Sequence, residues 1–297
     1  RAVPAQAPTI LLLSLCDGIG AVPLAAQQLW PQQVLAHLWE IEPTATKVTT
    51  YRMPAAVHHG DLLEATEDLL SFILQQYQYT TILIAAGFPC QDNSTLRTQK
   101  LGLRGSKSGL FHRIAEFIDT VRHLAKSLCP LATVHVLLEN VAGTTPRDAE
   151  FVTQRAATQP PVLRKPAHAS YANRPRLWWC TWPLTAKKGE SWGQYKAWPQ
   201  LCHWATPPRQ PPWHNTGFEC QSNRLPTRLC PGWRQNTPSF RTRGKEWATP
   251  EALERWAQDG HRLAVYQYAE ENLLWSDTTW RHPTPDELDE LLGFPKG

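Results

Sequence analysis

Apolar and polar positions alternate along the first half of the chain in two kinds of run. Compact apolar runs at Ile10–Leu15, Val34–Trp39, Ala56–His59, Thr81–Ala86 and Val134–Leu138 read as strands. Between them, Ala21–Leu29, Thr44–Tyr51, Glu64–Gln76 and Gly109–Ser127 read as helices. The last of these is amphipathic, with Leu110, Phe111, Ile114, Phe117, Ile118 and Val121 on one side. Strands alternating with helices predict the α/β class, with a doubly wound, mostly parallel sheet.

The texture changes near Pro183. From there to Pro238 the chain holds nine prolines and little periodicity, and twelve of its 14 Trp lie at or beyond Trp178. Three parts are expected: a first domain over residues 1–182, a small loop-rich lobe over 183–236, and a return to the first domain over 237–297. The return would run through Ser239–Arg243. Helices are expected at Pro250–Gln258 and Pro285–Leu292, the second capped by Thr284.

A length of 297 residues and a hydrophobic content of 42% suffice for a packed core and a smaller lobe, and exclude wholesale disorder. No apolar run approaches the roughly 20 residues of a membrane span, so no membrane partner is expected. Thr9–Leu15 lacks the flanks of a signal peptide and reads as a buried strand. Seven Cys, odd in number and irregular in spacing, suit a reducing compartment.

The net charge of +4 says little, but its distribution says more. Residues 185–245 carry ten Lys or Arg and two acids, about +8, which leaves about −4 for the remainder. A basic lobe on a mildly acidic body is the outline of a polyanion binder. Cys202, His203, His214, Cys220 and Cys230 of this stretch match no zinc spacing, and no metal is expected.

Polar signatures fall at the carboxyl ends of the expected strands, where ligands of such sheets sit. Asp17-Gly18-Ile19-Gly20 ends the first; its glycines allow close backbone approach, and a helix N-terminus follows. It is not the GxGxxG pattern of nicotinamide sites. Glu40 can accept from ribose hydroxyls and Asp61 from an adenine amino group, so the three acids together describe a nucleoside pocket. Gly87-Phe88-Pro89-Cys90-Gln91 ends the fourth strand, and a Cys held after Pro is a candidate nucleophile. Gly102, Gly105 and Gly109 then alternate with Arg97, Lys100, Arg104 and Lys107, a basic loop able to close over a substrate. Glu139-Asn140-Val141 places a carboxylate that can donate a proton to a ring nitrogen. Arg174 and Arg176 can bind phosphate or orient that carboxylate.

In this order and spacing, Asp17-Gly18-Ile19-Gly20, Glu40, Asp61, Pro89-Cys90, Glu139-Asn140-Val141 and Arg174-Pro175-Arg176 resemble the cytosine-5 DNA methyltransferases. The resemblance covers residues 9–182 and 237–295, and the basic lobe lies where that family keeps its target-recognition domain. Leu13-Ser14-Leu15-Cys16-Asp17-Gly18-Ile19, with Cys16 where Phe is usual, is most similar to the eukaryotic de novo branch. Ala172 and the short lobe fit the same branch, and Gly293-Phe294-Pro295 matches another shared element.

The resemblance implies a Rossmann-like fold, S-adenosylmethionine as cofactor, DNA as partner, and a nuclear location, or a cytoplasmic one for a bacterial source. Cys90 would attack C6 of a flipped cytosine, Glu139 would hold or protonate N3, Arg176 would contact the base carbonyl or a phosphate, and Arg174 would support Glu139. Asp17, Gly18, Ile19, Gly20, Glu40, Ile41, Asp61, Leu62, Phe88 and Pro89 would hold the cofactor. DNA contacts are expected from Gln91, Ser94, Arg97, Lys100, Arg104, Arg224, Arg228, Arg234, Arg241 and Arg243.

The family continues past Gly-Phe-Pro into a last motif that walls the methionine end of the cofactor. The sequence ends at Gly297, so that motif is expected to be missing. Two alternatives follow: a catalytically impaired regulatory paralogue, and a tRNA cytosine-5 methyltransferase, whose usual Cys-Phe-Thr element is not found. The apolar side of Leu110–Val121 is a candidate oligomer interface.

Overall fold

The structure is a computed structural model and describes residues 7–89, 109–164, 171–182, 210–221, 225–226 and 244–292. The described residues up to Arg164, with residues 176–182, form one compact unit. Residues 171–175 and those from 210 onward form a second.

The first unit is built on β1 (Ile10–Leu15), β2 (Val34–Trp39), β3 (Val57–His58), β4 (Thr81–Gly87), β5 (Thr133–Val141) and β6 (Val162–Arg164). After β7 (Ala172–Asn173), which belongs to the second unit, comes β8 (Arg176–Cys180). The seven-stranded sheet has the order β3-β2-β1-β4-β5-β8-β6. β1 to β5 run parallel, and β8 is antiparallel to both its neighbours.

Side chains of β1 alternate between two cores, as the strand pleat requires. Leu11, Leu13 and Leu15 join Ile82, Ile84, Val136 and Leu138 in the larger one. Leu12 joins Ala26 and Ala85 on the opposite face. The helices α3 (Glu67–Gln75), α4 (Leu110–Leu128) and α5 (Pro146–Ala156) contribute Leu70, Phe117 and Val152 to the first core, and α1 (Ala21–Leu29) contributes Ala26 to the second. The sheet is therefore doubly wound, as its pattern predicts.

Phe111, Ile114, Phe117, Ile118 and Val121 of α4 are buried in the chain's own core. That apolar face is spent on the sheet and is not an oligomer interface. The helix expected over Glu64–Gln76 is also broken. Asp61 caps a single 3-10 turn, Leu62–Glu64, and Thr66 Oγ1 then accepts from Leu69 N–H at 3.2 Å to start α3 anew. Two local side-chain caps outcompete one continuous helix. β5 runs to Val141, so Glu139 and Asn140 lie within the paired strand rather than beyond it.

In the second unit, Ala172, Trp213, Cys220, Leu225, Leu274 and Leu291 form a small core. The helices Pro250–Gln258 and Pro285–Leu291 start at Thr249 and Thr284. Thr284 and Glu287 form a reciprocal capping box, and Glu287 also holds Arg281 through two 2.7 Å contacts. Residues 244–292 group with this unit and add no strand to the seven-stranded sheet. Their Leu274 and Leu291 are consumed by the core around Trp213. The expected crossing at Ser239–Arg243 lies outside the described residues.

Candidate functional site

β1 sits between β2 and β4, so the connections leaving β1 and β4 diverge and open a crevice at the carboxyl ends of the strands. The turn after β1 is tightly wound. Cys16, Gly18 and Gly20 have φ of 53°, 60° and 81°. Gly20 admits no other residue without displacement: a β-carbon there would run into Thr49 Cγ2 and lie 2.6 Å from Met53 Cε. Thr49 lies in α2 (Pro43–Arg52) and Met53 caps its end, so the glycine lets the start of α1 nest against that helix.

Glu40 pins this turn to the end of β2. One carboxylate oxygen accepts from Gly18 N–H at 2.7 Å, the other from Glu42 N–H at 2.8 Å. Each oxygen keeps a second lone pair for a ligand hydroxyl. Asp61 accepts from Leu63 N–H at 2.9 Å. Ser14 donates its hydroxyl to Asp17 Oδ1, while Asp17 Oδ2 is buried with no partner among the described residues. Burial pushes the Asp17 carboxyl up to about 6; the Ser14 hydroxyl opposes the shift and the charge of Glu40 adds to it.

The Cys16 thiol is pushed up to about 12, first by burial, then by Glu40, Asp61 and Asp17. It therefore stays protonated and is no nucleophile. The thiol lies in the field of all three strand-end acids. Ile41 is exposed beside them, whereas Leu62 is in the core and can meet a ligand only through its backbone.

Behind the acids lies a histidine pair that the sequence pattern does not reveal. His37 Nδ1 and His59 Nε2 are 2.8 Å apart, and the His59 ring stacks on Trp39 at 4.5 Å. Burial and the neighbouring imidazole lower His37 to about 3; burial and His58 lower His59. The pair joins β2 to the segment that carries Asp61.

On the other side of β1, Gly87 of β4 is paired with Glu139 of β5. A β-carbon on Gly87 would lie 3.5 Å from Glu139 Oε2 and 4.0 Å from the Cys16 carbonyl. The bare glycine thus separates the Glu139 carboxylate from the turn after β1. Arg176 Nε meets Glu139 Oε1 at 2.6 Å, with side chains 12% and 23% exposed. A charged pair this short and this sheltered fixes the carboxylate's orientation. Phe88 is buried against Phe111 and Trp179 at 5.2 and 6.4 Å between ring centroids, and Pro89 follows, half-buried.

The structure thus gathers Asp17, Gly18, Ile19, Gly20, Glu40 and Asp61 at one end of the sheet, with Glu139 and Arg176 across Gly87. Arg174 belongs to the second unit. Cys90, Gln91, Ser94, Arg97, Lys100 and Arg104 lie outside the described residues, as do Arg224, Arg228, Arg234, Arg241 and Arg243.

A glycine turn at a helix start, acids for hydroxyl and amino groups, and an unsatisfied buried carboxylate suit a nucleoside that carries positive charge. Among the described residues no three His, Cys, Asp or Glu gather as metal ligands, and no helix is long and apolar enough to cross a membrane.

The model of the C-5 cytosine-specific DNA methylase family matches residues 10–159. The Type II methyltransferase M2.BsuMI of Bacillus subtilis is 29% identical over 130 residues, 44% of this chain and 28% of that protein. The chain thus spans little more than a quarter of that relative. The structure of the S. pombe Dnmt2 methyltransferase is 14% identical and aligns over 96% of this chain and 87% of its own, with a TM-score of 0.49. A mutant of Spodoptera frugiperda DNMT2 is also 14% identical, over 96% and 89%, with a TM-score of 0.48.

Proposed function

Since the chain belongs to the C-5 cytosine-specific DNA methylase family, we propose that it transfers a methyl group from S-adenosylmethionine to C5 of cytosine in DNA. The observation that carries this reading is the Glu139–Arg176 pair, separated only by Gly87 from the acid-lined turn after β1. A base held at Glu139 would lie against a cofactor held at that turn, which is the proximity a group transfer needs.

Asp17, Gly18 and Ile19 would hold the charged end of the cofactor, Glu40 its ribose and Asp61 its adenine, with Ile41 and Phe88-Pro89 flanking. When bound, S-adenosylmethionine supplies an electrophilic methyl group. The chain's own residues make the cytosine nucleophilic enough to take it. The base must leave the duplex stack to expose its ring face. Cys90 would then add to C6 as the thiolate, and electron density moves through the ring toward C5 and N3. Glu139, oriented by Arg176, would hold the N3 edge and share its proton, so that charge does not accumulate on the ring. After C5 is methylated and loses its proton, Cys90 leaves. The basic stretch 185–245 would contact phosphates, and its Trp side chains can stack on bases.

The test is transfer of labelled methyl groups to double-stranded DNA, followed by digestion to nucleosides. Label in 5-methylcytosine is the expected result. Label in any other nucleoside, or in RNA but not DNA, overturns the proposal.

A further inference from the structure

The segment that carries Asp61 leaves the sheet from its most weakly paired strand. β1 pairs with β2 and with β4 over six positions each. β3 is two residues long and lies at the edge of the sheet, with only His37↔Val57 and Leu38↔His58 in register. One further bond follows, from His59 N–H to the Leu38 carbonyl at 2.9 Å. Gly60 then turns at a φ of 78°, and a β-carbon on it would stand in open space. Backbone pairing therefore ends two residues before Asp61.

Side chains supply the missing tie. The His37 and His59 rings are tilted by only 11° with centres 5.0 Å apart, and His37 Nδ1 is 2.8 Å from His59 Nε2. The two rings thus meet edge to edge. The His59 ring also lies on Trp39 at 4.5 Å, and Phe117 of α4 braces Trp39 edge-on at 5.1 Å. His37, Trp39 and Phe117 are all buried.

The bond has a direction. Burial lowers both imidazoles, so the pair is neutral at pH 7.5, and one ring must donate while the other accepts. His37 Nε2 is buried without a partner among the described residues. Buried N–H groups are almost never left over, whereas spare lone pairs are tolerated more often. The His37 proton therefore belongs on Nδ1, and His59 Nε2 accepts it.

We infer that His37 is a positioning residue for recognition of the adenine ring: by donating to His59 it fixes the edge segment that presents Asp61. This rests on the reading of Asp61 as acceptor for the adenine amino group. One Asp61 oxygen is engaged by Leu63 N–H at 2.9 Å, and the path through Gly60 aims the other. Glu40 is anchored separately, by Gly18 N–H and Glu42 N–H. The histidine pair thus bears on the base and not on the ribose.

Calorimetric titration with S-adenosylhomocysteine and with its inosine counterpart tests this, since hypoxanthine has a carbonyl in place of the amino group. Wild type should prefer the adenosyl compound by at least about 30-fold. His37→Leu removes the donor; His59→Phe removes the acceptor but keeps a ring on Trp39. In each, the preference should fall by at least about fivefold, through weaker binding of the adenosyl compound alone. His37→Asn, whose amide nitrogen stands where Nδ1 does, should keep the preference within about twofold of wild type. A purely structural role weakens both compounds alike and leaves the preference unchanged. That outcome, or a preference lost equally in His37→Asn, overturns the inference.

Nitrogen-15 NMR of the wild type reads the same bond without a substitution. At pH 7.5 the His37 proton is expected on Nδ1, and a proton on Nε2 overturns the inference, as does equal binding of the two compounds by wild type. A wild type with the expected proton that binds neither compound would instead overturn the proposed function.

Discussion

The two halves of the site on either side of Gly87 are built on opposite principles. Toward β5 the polar groups are matched within the protein: Glu139 has Arg176, and both ends of the Asn140 amide have partners. Toward β2 the matching is incomplete: Glu40, Asp61 and Asp17 Oδ1 are bonded, but Asp17 Oδ2 is left over. The turn after β1 holds three residues at positive φ and a buried carboxylate oxygen without a partner among the described residues, in the field of Glu40. The first half is rigid before any ligand arrives, as orientation of a reacting base requires. The second carries cost in the empty protein that a positively charged ligand would relieve.

The sharpest break of this contrast is expected from Glu139→Gln. It keeps the shape but removes the charge that Arg176 orients. Methyl transfer should fall by roughly 10²- to 10⁴-fold with little change in cofactor affinity, measured by single-turnover kinetics and calorimetric titration. Gly20→Ala attacks the other half. Its β-carbon meets Thr49 and Met53 at a φ of 81°, and a loss of about 3 kcal/mol in urea melts is expected, with loss of cofactor binding.

Acid sharpens the contrast. His37 stays neutral in the fold down to about pH 3, whereas an unfolded histidine takes its proton near 6.5. The unfolded chain then binds more protons below 6.5, so stability falls as pH drops, by about 2 kcal/mol between 6.5 and 5. Asp17 works in the opposite sense. Its folded value near 6 exceeds the unfolded 3.8, so its contribution is present at low pH and lost as pH rises from 3.8 through 6. Asp17→Asn should therefore steepen the acid loss and His37→Gln flatten it, in urea melts at pH 5 and 7.

The smallest effect is the most pointed. At pH 7.5 Asp17→Asn should stabilise the empty protein by about 1 kcal/mol, since a buried charge disappears, while weakening cofactor binding. A variant that is less stable at that pH would remove the idea of an unsatisfied half.

Local order in the sequence accounts for what could be read from it. β1 and β2 are apolar runs broken only by Ser14 and His37 and bounded by turn residues, and both match their expected limits. Thr284 announces its helix because the cap is written within four residues. Asp17, Glu40, Asp61 and Glu139 could be found because each ends an apolar run. The His37–His59 pair could not, because it joins residues 22 apart through a register set only by sheet pairing. Asn140 stands in a quoted motif, but its bond to Phe88 spans 52 residues. The break before α3 was hidden because Thr66 caps a helix that the apolar spacing would extend. The grouping of residues 244–292 depends on Trp213 and Cys220, whose partners no periodicity announces.

The central claim is a covalent bond between this chain and cytosine. Duplex DNA carrying 5-fluorocytosine blocks the last proton loss, so an enzyme of this mechanism remains attached. Incubation with S-adenosylmethionine should give a denaturation-resistant adduct whose digested peptide carries the nucleotide on Cys90, and none with Cys90→Ser. No adduct from the wild type, or one that survives Cys90→Ser, would contradict the account.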